Sequence, residues 1–205
     1  MNFKEKILLL LVALVVLTAI AFYFDNRLLT AITAMQAPLL NVFMIGITDI
    51  AELYLGVLII FLIVIAARQK RLFWDMAAAM LIDIFIIIVL KIVIARPRPY
   101  LQGFSNVRSE LFSSFPSGHA SRAFLMFGTM AKHWHKWKWP LYAIACIIAF
   151  SRLYLGVHWP SDVVTGALLG LVISETVVHF KLGVKLEKDV KKVWYRLRSK
   201  KTKTK

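Results

Sequence analysis

The chain has 205 residues, of which 60% are apolar and 18% charged, with a mean hydropathy of +0.70. Soluble domains average about 45–50% apolar residues, so this composition excludes one and indicates a single compact unit lying mostly in lipid. The formal charge of +15, from 26 Lys+Arg against 11 Asp+Glu, calls for an anionic partner, nucleic acid or lipid, and the placement of the cations decides between them.

A transmembrane helix takes roughly 20 mostly apolar residues. In chain order, stretches at 7–24, 53–67, 72–95, 119–131, 140–156 and 162–180 meet or approach that length, which predicts an all-α polytopic membrane protein with six transmembrane helices. The second and fourth are short and rely on flanking residues to complete the crossing. Lys4 and Lys6 before the first run, with Ala19-Ile20-Ala21 inside it, resemble a secretory signal. Phe22-Tyr23-Phe24 continues the apolar run past that point, so the segment is read as an uncleaved anchor. Residues 25–51 space their apolar side chains in a partly helical pattern with few charges, predicting one or two short interfacial helices at the outer side. The membrane unit covers 1–180, and 181–205 form a basic tail whose end, from Arg196, is expected to fray.

The cations sort by side. Lys4 and Lys6, then Arg68, Lys70 and Arg71, then Lys132, Lys136 and Lys138, and eleven more from Lys181 onward all fall on one side of this layout. Arg27, Arg96, Arg98 and Arg108 fall on the other, and Lys91, Arg122 and Arg152 lie at or inside helix ends. The positive-inside rule then puts both termini in the cytoplasm. Most of the charge is explained by topology and anionic lipid, which removes the need for nucleic acid. Cys146, the one cysteine, excludes an intrachain disulfide and a cysteine-based zinc site.

Ionisable groups inside a bilayer are costly and mark function until a partner is named. Lys91, Ser117, Gly118, His119, Ser151, Arg152, His158 and Asp162 all reach the outer level in this topology, from four different spans. Lys91, Arg98 and Arg152 suit an anion of two or more charges, such as a phosphate. Pro116-Ser117-Gly118-His119 leads from a polar loop into a helix, whose first amides and the Ser117 hydroxyl would face the same anion. Asp162, four residues after His158, can hold one imidazole nitrogen as N–H and leave the other free to attack phosphorus. His119, without an evident carboxylate, reads as the acid for the leaving oxygen and the later base for water.

These residues form the patterns K-x6-R-P, P-S-G-H and S-R-x5-H-x3-D, from Lys91 to Asp162, with all eleven fixed positions met. Together they resemble the three-part signature of the type 2 phosphatidic acid phosphatase family. The resemblance implies that Lys91, Arg98, Ser117, Gly118 and Arg152 bind the phosphoryl group, that His119 is the acid and His158 the nucleophile, and that Asp162 orients His158. It also implies catalysis without metal or cofactor on lipid phosphates or diphosphates. The small size looks like the prokaryotic members that act on undecaprenyl diphosphate, phosphatidylglycerophosphate or phosphatidic acid, and the shared motifs do not choose among them. The loop from Tyr100 to Ser114 is the expected source of selectivity.

The same residues would serve a phosphotransferase that passes the group to a lipid or sugar acceptor. A non-catalytic binder or transporter needs the cations but not two histidines and an aspartate. A vanadate-dependent oxidase, suggested by related folds, is disfavoured by a lipid-embedded site. Among the other polar residues, Arg96 is read as snorkelling to the interface, and Arg122 either faces the phosphate or pairs with an acid. Asp83 is equally a structural or a functional buried aspartate, whereas Asp75 and Glu175 are expected to meet basic residues at the cytoplasmic side. Lys132 to Trp139, with its His-x-His, reads as an aromatic belt with lipid-facing cations, and His179 as interfacial. Gly166 and Gly170 form a small-xxx-small helix contact.

Overall fold

A computed structural model describes residues 2–49, 58, 62, 68–99 and 113–203 of the chain, with side chains at 49 and 198–203 excepted. The expected second span at 53–67, apart from residues 58 and 62, and the loop residues 100–112 lie outside the described residues. Within them the chain is all-helical: α1 (Phe3–Thr33), α2 (Pro38–Asp49), α3 (Lys70–Ile94), α4 (Gly118–His133), α5 (Lys138–Tyr154), α6 (Pro160–His179) and α7 (Leu182–Lys203), with one 3-10 turn at His135–Trp137.

Three of these, α1, α3 and α6, are long and apolar enough to cross a membrane. With 16 and 17 residues, α4 and α5 are shorter than a standard span. The reason for the short α4 is its position. Twelve of its 16 residues are buried by other helices, so it carries His119, Ser121 and Thr129 without presenting them to lipid.

Asn2 and Glu5 form a reciprocal capping box that starts α1. At 31 residues and 1.5 Å per residue it runs about 46 Å. Residues 25–33, expected to begin an interfacial helix, instead continue α1. Asp25 does not end it because its carboxylate is buried against partners from elsewhere in the chain, described below. The turn comes at Ala34, and Pro38 opens α2 in the first position, where a missing N–H costs nothing. Gln36 and Ala37 donate to the Tyr154 carbonyl and hydroxyl, tying this turn to the end of α5.

Two glycines set the central contact. A Cβ on Gly170 would collide with the Ser121 carbonyl oxygen, and one on Gly166 with that of Ser117. Their absence lets α6 lie directly on α4 and brings the beginnings of both helices together. Ser117 N–H donates to the Asp162 carbonyl at 3.0 Å across this junction. Apolar packing below it joins Leu72, Met76, Leu125, Met126, Ile148 and Val177 in one core.

The two ends of the bundle differ. At one end Glu175 pairs with Lys6 at 2.5 Å and Lys132 at 3.2 Å, and Asp75 meets His133 at 3.1 Å and Arg71 at 3.8 Å. His179 there stacks on Phe3. Beyond it α7 continues as helix to Lys203, where fraying was expected from Arg196. Its Glu187–Lys191 pair at 2.6 Å is one i,i+4 support. The proposed catalytic residues all lie at the other end.

Candidate active site

Four helix termini converge on the site. α3 ends at Ala95, whose left-handed φ of 46° turns the chain sharply into Arg96-Pro97-Arg98. α4 begins at Gly118 with Ser117 as its N-cap, the hydroxyl accepting from Ala120 N–H at 3.4 Å. α5 ends just after Arg152, and Gly156, with φ of 66°, turns the chain toward His158. α6 starts at Pro160, and Asp162 Oδ2 accepts the Trp159 N–H at 2.9 Å.

Ser117, Arg152, His158 and Asp162 are less than 3% exposed, Gly118 is buried, and His119 is 8% exposed. His158 Nδ1 lies 3.5 Å from Asp162 Oδ2, an ion-pair distance rather than a short hydrogen bond. The opposite ring nitrogen, Nε2, faces Arg98 Nη1 at 3.5 Å, and the same Nη1 donates to the Val157 carbonyl at 3.1 Å. Arg152, 2% exposed, donates to Thr48 Oγ1 at 2.9 Å, so α2 anchors its guanidinium. His119 lies within electrostatic reach of Arg152, Arg122, His158 and Arg98. Lys91 Nζ donates to the Ser113 carbonyl, and Ser113 Oγ returns a bond to the Lys91 carbonyl at 2.8 Å. Ser151, the remaining motif position, is buried and donates to the Ile148 carbonyl at 2.7 Å, a local helix bond.

Arg122 and Asp83 stand behind the helix start. A Cβ on Gly118 would come 3.0 Å from Arg122 Nη1, so the guanidinium lies along the first turn of α4. Arg122 also acts electrostatically on Asp83, which accepts a bond from Ser121 Oγ. Arg122 therefore borders the glycine of the motif and lies within electrostatic reach of Asp83.

Arg96 is a correction. It does not snorkel. Nη2 pairs with Asp25 at 2.7 Å, and Nη1 reaches Asp162 Oδ1 at 2.8 Å and Ser161 Oγ at 2.7 Å. Phe22 and Trp159 cover the guanidinium at 4.6 and 5.1 Å. The physical reason is that Asp25 and Asp162, both buried, give a cation at this level a better partner than headgroups. Sequence reasoning missed Asp25, Thr48 and Ser161. Only Asp25 left a signal, as an acid just beyond the apolar run of the first span.

A family model described as the PAP2 superfamily matches residues 72–184. The chain belongs to the PAP2 superfamily. It is 32% identical over 157 residues to the undecaprenyl-diphosphatase of Sulfolobus acidocaldarius, covering 74% of this chain and 75% of that protein. To phosphatidylglycerophosphatase B of Bacillus subtilis it is 33% identical over 175 residues, covering 78% and 85%. Among solved structures, the transmembrane PAP2 type phosphatidylglycerolphosphate phosphatase from Bacillus subtilis superposes with a TM-score of 0.74 at 29% identity, over 86% of this chain and 96% of that one. These relatives are named phosphatases, and the PAP2 chain is an enzyme of the lipid phosphatase class. The matched region contains every motif residue from Lys91 to Asp162, whereas Asp25 and Thr48 lie outside it.

Proposed function

We propose that this PAP2 enzyme hydrolyses a lipid phosphate or diphosphate through a phosphohistidine on Nε2 of His158. The observation that carries the reading is the environment of that ring, with a carboxylate beside Nδ1 and the Arg98 guanidinium beside Nε2. Asp162 keeps Nδ1 protonated, so the electron pair of Nε2 points to where Arg98 would hold a phosphoryl oxygen. Lys91, Arg98 and Arg152 supply the positive charge, with the Ser117 hydroxyl and the amides that open α4 completing the cradle.

In the first step Nε2 attacks phosphorus, the P–N bond forms and the P–O bond to the lipid breaks. His119 delivers a proton to the departing oxygen. In the second, His119 takes a proton from water as that water attacks phosphorus, the P–N bond breaks, and its electron pair returns to Nε2. Phosphate leaves with the enzyme restored.

The substrate class is undecaprenyl diphosphate, phosphatidylglycerophosphate or phosphatidic acid, the first two being those in the relatives' names. Both termini lie in the cytoplasm and the catalytic end faces the outer leaflet. This is supported by the gathering of Lys6, Arg71, Lys132 and α7 at the end opposite the histidines.

Purified protein assayed on the three lipids in one detergent, with EDTA present, tests the reading. Phosphate release abolished by His158→Ala supports it. Full release by that variant sinks the nucleophile, and transfer to an added lipid or sugar alcohol in place of free phosphate converts the enzyme to a phosphotransferase.

A further inference from the structure

Asp162 presents one oxygen to His158 and the other to a second group of residues. Oδ2 faces His158 Nδ1 and accepts from Trp159 N–H, while Oδ1 accepts from Arg96 Nη1 at 2.8 Å. Beyond Arg96 lies Asp25, whose Oδ2 accepts from Arg96 Nη2 at 2.7 Å and from Ser161 Oγ at 2.7 Å. Asp25 Oδ1 accepts the Ser161 N–H at 2.8 Å. Asp25 is 5% exposed and Asp162 fully buried, so both carboxylates are shielded from water, while the Arg96 side chain between them is 15% exposed.

We infer that Arg96 and Asp25 are positioning residues for the reaction: Arg96 fixes the rotation of the Asp162 carboxylate toward His158, and Asp25 sets how much negative charge that carboxylate keeps. The inference rests on the reading of His158 as nucleophile. A carboxylate held only through Oδ2 could turn about its Cβ–Cγ bond, and the bond to Arg96 through Oδ1, together with a side-chain bond from Ser114, opposes this. An arginine paired with Asp162 alone would draw on its charge just when the imidazole becomes cationic. Sharing the guanidinium with Asp25 leaves Asp162 able to stabilise that cation. Asp25 belongs to α1, so a helix that carries none of the three motifs closes the catalytic end of the molecule.

A merely structural brace and a positioning device differ in what they do to His158. The charged and titratable groups facing its ring are Asp162 on α6, Arg98 from the turn after α3, and His119 on α4, with Arg152 on α5 and Arg122 on α4 acting on His119. None of these is altered by substitutions at 96 or 25. Removing the charge in Arg96→Gln strengthens the negative field of Asp162 and moves the His158 titration to higher pH. Asp25→Asn gives the whole guanidinium to Asp162 and moves it to lower pH. Charge deletions of opposite sign shift a nearby histidine oppositely through space in any case, so the charge-preserving Arg96→Lys carries the distinction: a brace that still folds leaves kcat unchanged, and a positioning residue does not.

The experiment is a histidine titration by NMR on the full chain in detergent, with ¹⁵N-labelled histidine and His158→Gln to assign the signal, beside kinetics on a lipid diphosphate. Opposite shifts in the two variants, with kcat lowered by about 10²-fold in Arg96→Lys and KM kept within a few-fold, support the inference. Lysine keeps the charge but cannot bridge both carboxylates. Shifts of the same sign, or none in folded protein, overturn it. The titration needs no turnover, so this outcome is separate from failure of the functional reading, which shows as full phosphate release by His158→Ala.

Discussion

Gly170 on α6 lies so close to Ser121 on α4 that a Cβ there would meet the Ser121 carbonyl oxygen and come within 2.9 Å of Leu125 N. This contact holds the start of α4, with Ser117 and His119, in register with the start of α6, with Asp162. Gly170→Ala must push the helices apart against backbone, at a cost of about 1–3 kcal/mol. Thermal unfolding in detergent is expected to show the loss, with phosphate release falling as His119 moves from His158. Gly128→Ala is the milder comparison, because its tightest contact would be the Ser174 hydroxyl at 3.2 Å, a side-chain atom rather than backbone.

Gly118 is a different case. Its Cβ would meet the far end of a flexible side chain, Arg122 Nη1, at 3.0 Å. Gly118→Ala is expected to fold normally and to displace Arg122 from the helix start. KM for the lipid phosphate should rise about tenfold, equivalent to about 1.4 kcal/mol of lost binding, with a smaller change in kcat. Steady-state kinetics at fixed detergent concentration check this.

Thr48 anchors Arg152 through a 2.9 Å bond from a helix outside the family-matched region. Thr48→Val keeps the volume and removes the acceptor, leaving a buried guanidinium nitrogen without that partner, at a cost of about 1–3 kcal/mol. Lower melting temperature together with weaker competition by inorganic phosphate is the expected result. Unchanged phosphate inhibition would separate Thr48 from the site.

The opposite end of the bundle provides a control on location. Glu175 bridges Lys6 and Lys132 while 15% exposed. In Glu175→Gln both ion pairs go, and a stability loss of about 1 kcal/mol is expected because the site is partly solvated. Turnover at a temperature where the protein stays folded should match wild type, since the proposed catalytic residues lie at the opposite end of the bundle.

The gathering of the motif residues at one end of the bundle was legible in the sequence because helix starts hold such residues at fixed spacing, from His158 to Asp162 and from Ser117 to His119. The Gly166–Gly170 contact was legible for the same reason, since small residues four apart mark a close helix approach. Arg96 was misread because a lone arginine at an interface snorkels by default, and its partner Asp25 lies 71 residues away with no periodic pattern linking them. The extent of α1 was misread on a related ground. A charged residue at the end of an apolar run looks like a boundary until its buried partners are known. Thr48 carried no signal, as a threonine in an apolar helix serves equally as filler or anchor.

The central claim is that His158 carries the phosphoryl group. The most direct measurement is rapid quenching of the enzyme during turnover of a lipid diphosphate labelled with ³²P in its terminal phosphate, followed by peptide mapping. The account predicts an alkali-stable, acid-labile label on the peptide containing His158, absent from His158→Ala and accumulating in His119→Ala when the second step is slowed. Turnover in His158→Ala at the wild-type rate, or a label on another residue, would contradict it.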